Sequence, residues 1–109
     1  MIKKTLTVTP RLGMHARPAG AFVREASRFK SEIMVAKDGS EVNGKSVMQM
    51  MLLAAECGSQ ITVRITGPDE AAALAVIEQL FKEFQKYPDE DAALRAFDAY
   101  MLRTRADRE

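Results

Sequence analysis

Cysteine is almost missing from this chain. Cys57 is the only one in 109 residues, so no disulfide can close within it. Histidine is as scarce, with His15 alone, and one His plus one distant Cys do not make a metal-ligand cluster. No run is long and apolar enough to cross a membrane and no leader-like segment opens the chain. The expected setting is therefore the cytoplasm, with no direct membrane insertion. A basic surplus is missing too. Sixteen Lys and Arg stand against 15 Asp and Glu, a net charge of +1, which argues against a nucleic-acid partner. There is no internal repeat and no low-complexity segment. What remains is 47% hydrophobic and 28% charged, the balance of a globular domain with one modest core.

The informative stretch is Gly13-Met14-His15-Ala16-Arg17-Pro18-Ala19. His15 stands where a strand-like run ends and an apolar-periodic helix begins, which places it at or just before the first helical turn, as the N-cap or next to it. A helix start leaves amides without partners and carries partial positive charge, so it is suited to an anion. Pro18 has no N–H to offer, which leaves the Ala16 and Arg17 amides as the donors beside the ring. Arg17 adds a planar guanidinium that matches phosphate oxygens. A lone histidine at a helix start is most often only a capping or surface residue. The chemistry this one suits, with a nest and an arginine beside it, is phosphoryl transfer through a phosphohistidine.

The rest of the chain alternates strands and helices. Residues 2–8 read as a strand with Leu6 and Val8 inward. A helix from Ala16 to about Phe29 places Ala19, Phe22, Val23, Ala26 and Phe29 on one face. Arg24, Arg28 and Lys30 fall toward solvent or the helix end, as a solvated face or as a basic rim for acidic partners. Ser31–Lys37 and Ser40–Asn43 read as a hairpin around Asp38-Gly39. Ser46 is a good N-cap for a helix of roughly residues 47–54. That helix is too apolar for one buried stripe. With Met50 and Leu53 inward, Val47, Met48 and Met51 are left outward as a repacking surface for partners, unless another element covers them. Cys57 reads as a loop thiol, the alternative being a catalytic pair with His15. Gln60–Thr66 is the cleanest strand. Leu74, Ile77, Phe81 and Phe84, with Val76 and Leu80 beside them, mark a long helix after Gly67-Pro68-Asp69-Glu70. The order predicts an α+β open-faced β-sandwich: a four-stranded antiparallel sheet with three helices on one face.

The run Gly13–Ala19, followed by Val42-Asn43-Gly44-Lys45-Ser46 and a Met-rich helix, resembles the HPr family of histidine-containing phosphocarriers of the bacterial phosphotransferase system. The resemblance extends from about residue 2 to about residue 85, and the family has the fold just inferred. It implies a phosphoryl-group carrier and not an enzyme, with no metal or small cofactor of its own. By resemblance, His15 accepts the group on Nδ1 from enzyme I, charged by phosphoenolpyruvate. It then passes the group to the IIA domains of sugar transporters. Ala16 and Arg17 would hold the phosphoryl group, and Val47, Met48 and Met51 would meet the partners. In some relatives the serine matching Ser46 is phosphorylated by a dedicated HPr kinase/phosphorylase. A phosphate there would sit well on a helix N-terminus and put charge into the docking patch. Two other readings stay open: a carrier of the nitrogen-related regulatory branch, and a regulatory binding module that transfers nothing.

The chain divides into an HPr-like domain, residues 1–86, and an extension, residues 87–109, that departs from the family. Pro88 is expected to end the preceding helix, and Asp89-Glu90-Asp91 makes a good helix start. Ala93, Leu94, Phe97, Tyr100 and Met101 recur at helical spacing, with Arg95, Asp98, Arg103 and Arg105 mostly off that stripe. An added helix over about residues 90–104 is predicted, burying Leu94, Phe97 and Met101. Its expected docking surface is the open face of the sheet or a second subunit. Removing the extension is expected to lower stability or change the oligomeric state while leaving His15 chemistry nearly normal.

Overall fold

Four runs of alternating residues form strands, and their inward side chains are the branched ones. A computed structural model describes residues 1–87 and 89–108, with side chains described through residue 104. The strands are β1 (Ile2–Thr7), β2 (Glu32–Lys37), β3 (Ser40–Asn43) and β4 (Gln60–Thr66); the helices are α1 (Ala16–Ala26), α2 (Val47–Leu52), α3 (Glu70–Lys86) and α4 (Glu90–Arg108). The sheet runs β1-β4-β2-β3, antiparallel at every step. Asp38 and Gly39 both take positive φ, 51° and 85°, so the β2–β3 hairpin closes through a tight turn of the primed kind.

Register places Leu6 opposite Ile61, Ile33 opposite Ile65 and Val35 opposite Val63. One face of the sheet is therefore aliphatic, and the helices cover it. Phe22 of α1, Met50 of α2 and Ile77 and Leu80 of α3 are fully buried there. Phe81 meets Phe22 edge-on at 6.3 Å and Phe84 at 5.9 Å, tying α1 to α3 through aromatic contacts. This is the expected α+β arrangement.

Helix α1 ends three residues short of the expected Phe29. Its chain tightens into i→i−3 bonds, Arg28 N–H to Glu25 and Phe29 N–H to Ala26, both 3.2 Å, and Lys45 Nζ donates to the Phe29 carbonyl at 2.7 Å. The arginines of α1 are not a free basic rim. Arg24 Nε lies 3.0 Å and Arg28 Nε 3.5 Å from the carboxylate of Glu25, which is buried within the same helix. Arg24 also reaches Asp98 at 3.2 Å.

The extension is helical, and it runs on to Arg108. The Asp89 carboxylate accepts from the Asp91 amide at 3.0 Å and caps its start. Phe97 and Ala93 are fully buried in the common core, with Leu94 and Met101 half-buried against it. Its docking surface differs from expectation. α4 lies against α3 in the helical layer, and not on the open sheet face. Only three residues separate Lys86 from Glu90, and so short a link returns the chain beside the helix it has just left. The expected break at Pro88 and the placement of Arg105 lie outside the described residues and side chains.

Two outcomes follow for stability. Phe97→Ala is expected to cost about 3–5 kcal/mol, the range for emptying a buried aromatic site, in urea unfolding of the full chain. The second concerns Asp69, the N-cap of α3, which ties that helix to the turn between α1 and β2. The Ser31 hydroxyl and the Lys30 and Ser31 amides, each donating to its carboxylate, lower its pKa to about 2. A carboxyl lowered on folding stabilises the fold above its unfolded pKa, ~3.9, and loses that contribution as pH falls through the folded value. Asp69→Ala should melt below the wild type at pH 7, and the gap should narrow between about pH 4 and about pH 2.

Candidate functional site

The loop before α1 is pinned to the loop after α2. Gly13 takes φ +74°, and a Cβ there would press on the Ala55 carbonyl and come within 2.9 Å of Glu56 Cα. Met14 N–H donates to that carbonyl at 2.8 Å, and its side chain is buried. The next residue, His15, is the N-cap of α1, with extended backbone (φ −77°, ψ −168°) and no hydrogen bond from its side chain to the helix start. Its carbonyl takes the Ala19 amide at 2.9 Å. The Ala16 and Arg17 amides begin the helix, where no preceding turn supplies an acceptor, and Pro18 is buried at the third position. The ring makes no bond to the helix start, and its side chain is partly buried, 28% exposed.

Around it lies apolar surface. A shallow depression is lined by Leu12, Met14, His15, Met51, Ala54, Ala55 and Glu56, so the ring and Met51 share one face. Met50 and Leu53 point into the core as expected, and Val47, Met48 and Met51 are exposed. No part of α4 is needed to cover them, because α4 lies against α3. Leu12 and Leu52 are also exposed, at 74% and 78%, and enlarge the apolar surface beyond the expected residues. A leucine in a loop, and one on a helix whose only polar residue is Gln49, give no periodic signal, so sequence reasoning missed both. Ser46 caps α2 as predicted, its hydroxyl accepting from the Gln49 amide at 3.2 Å. Cys57 is an exposed thiol in the loop before β4, donating weakly to the Thr9 carbonyl at 3.5 Å.

The acidic start of α4 was not foreseen at this site. Glu90 Oε2 is 2.7 Å from His15 Nε2 and its other oxygen is 3.9 Å from Arg17 Nε. Arg17 Nη2 makes an ion pair with Asp91. With Arg24–Asp98 one helical stretch further on, three side chains of α1 meet three of α4 in the same order along both helices. The two helix starts therefore lie side by side. Asp89-Glu90-Asp91 was legible as a helix N-terminus, but its approach to residue 15 is set by α3 packing and leaves no local mark.

Comparisons with known proteins bear on the family and the fold. A family model described as "PTS HPr component phosphorylation site" matches residues 2–83. The phosphocarrier protein HPr of Treponema pallidum is 51% identical over 82 residues, 75% of this chain and 93% of that one. The HPr-like protein Crh of Halalkalibacterium halodurans is 48% identical over 84 residues, 76% of this chain and all of its own length. Among solved structures, HPr-C-His from Thermoanaerobacter tengcongensis superposes with a TM-score of 0.76 at 36% identity, covering 80% of this chain and 98% of that chain. α4 begins beyond the end of the family match. No described helix is long and apolar enough to cross a membrane. From its β1 strand to the end of α3, in sequence and in fold, the chain belongs to the HPr family of phosphocarriers of the phosphotransferase system.

Proposed function

We propose that the chain accepts a phosphoryl group on His15 from phosphoenolpyruvate-charged enzyme I and delivers it to IIA-type acceptors of a sugar phosphotransferase system. Residues 1–86 are the carrier domain on this reading and residues 87–109 an extension of it. The observation that carries the proposal is the ring of His15 at the N-cap of α1, beside two amides without intrahelical acceptors and the Arg17 guanidinium. Ring, nest and cation satisfy what a carrier needs: a nitrogen to attack, donors for three phosphoryl oxygens, and enough exposure for the group to leave again. The exposed apolar face of Leu12, Val47, Met48, Met51 and Leu52 supplies a docking surface of flexible and branched side chains that can repack against enzyme I and against IIA domains.

Ser46 gives this surface a means of control. Phosphorylation by an HPr kinase/phosphorylase would place a charge of about −2 on the N-cap of α2, where the helix tolerates it and the neighbouring apolar side chains do not. The likeness to the Bacillus subtilis catabolite repression protein Crh, 39% identical in its solved structure, favours one second reading, a regulatory module. His15 itself supports transfer over that reading, since a chain that only docks has no use for a nucleophile.

Incubation with phosphoenolpyruvate and a cognate enzyme I should give one acid-labile phosphate, absent in His15→Ala. A stable label on that variant would remove the carrier reading. Arg17→Ala should slow transfer by roughly tenfold with the fold intact, as expected for one partly exposed charge at a phosphoryl site. Met48→Glu should weaken enzyme I binding by roughly tenfold while changing stability by no more than about 0.5 kcal/mol. Ser46→Asp should slow His15 phosphorylation with helix content unchanged. Equal rates for Ser46→Asp and wild type, or a collapsed melting temperature in Met48→Glu, would place the docking surface elsewhere.

A further inference from the structure

We infer that Glu90, from the extension, is a positioning residue for His15. The inference rests on the proposed phosphoryl transfer and deepens it. A carboxylate can only accept, so the 2.7 Å contact is an Nε2–H donating to Glu90 Oε2. The proton on Nε2 leaves the lone pair on Nδ1 and fixes which nitrogen attacks. Both side chains are mostly covered, 28% exposed for His15 and 21% for Glu90, so the bond is not an incidental surface encounter. Glu90 is itself held. It lies in the first turn of α4, where the helix dipole favours its charge, and α4 is anchored to the core by Phe97 and Ala93.

During transfer the Nδ1 lone pair forms the N–P bond, and the bond from phosphorus to the donor breaks with its electrons kept by the donor. The Nε2 proton stays in place. The ring thereby gains positive character, and the Glu90 carboxylate faces that charge as it develops. This is the part a carboxylate plays behind a histidine that acts by its other nitrogen. On this inference, removing the extension slows transfer to His15.

The single histidine makes the test direct. In 15N-labelled full-length protein, the wild type should show one neutral tautomer with a slowly exchanging Hε2. Glu90→Ala should lose that signal, and its phosphorylation rate constant should fall roughly tenfold with the apparent affinity for enzyme I unchanged. Glu90→Gln, which keeps an acceptor oxygen without the charge, should fall between the two. An unprotected Hε2 in the wild type overturns the inference. So does an equal or faster rate in Glu90→Ala, which would make α4 a brake on the site. A wild-type chain that takes up no phosphoryl group at all removes the carrier reading and this role with it, whatever the Hε2 signal shows.

Discussion

The site depends on a backbone clasp between two loops that are far apart in sequence. Val8 N–H donates to Ser59 at 2.8 Å, Gly58 N–H returns a bond to Val8 at 2.7 Å, and Met14 N–H donates to Ala55 at 2.8 Å. These bonds fix the end of β1 and the start of α1 against the end of α2. Because Val8, Met14 and Ala55 are buried, leaving the Val8 and Met14 amides unpaired would cost more than the bond is worth in water. The clasp sets the height at which α1 begins, and with it the place of His15 beside Met51. Gly13 is the residue that permits it, since a side chain there would meet the facing backbone.

Much of this was legible in the sequence because its causes are local. The Asp38-Gly39 turn, the Ser46 cap and the alternation of β4 are short-range signals, and the structure shows each one. Once Met50 is inward, helical spacing puts Leu53 beside it and leaves Met48 and Met51 outward, as the structure has them. The misses are tertiary. A charged residue on an amphipathic helix carries no local sign of burial, yet Glu25 is buried with Arg24 and Arg28 folded onto it. The stripe Ala93, Leu94, Phe97 and Met101 announces a buried face without saying what buries it. That answer came from the shortness of the α3–α4 link.

The same link brings two carboxylates, Glu90 and Asp91, to a site suited to an anion, and the two demands conflict. Asp91 occupies Arg17, the cation that a transferred phosphoryl group would need. Exposure decides how strongly. Arg17 is 57% and Asp91 42% exposed, and an ion pair so open to water contributes at most about 1 kcal/mol and is screened by salt. A dianionic group can therefore displace Asp91 from Arg17 at small cost. Glu90 is more enclosed and meets the ring on the nitrogen away from the lone pair, so an arriving group has no reason to displace it. The acidic turn thus separates into one contact that yields and one that stays. The repulsion it retains also acts on the product. A phosphoryl group held beside fixed negative charge is bound less tightly than on a neutral surface, and a carrier must give up what it takes. On the proposed reading, the extension makes His15 a better-oriented acceptor and a readier donor through the same residues.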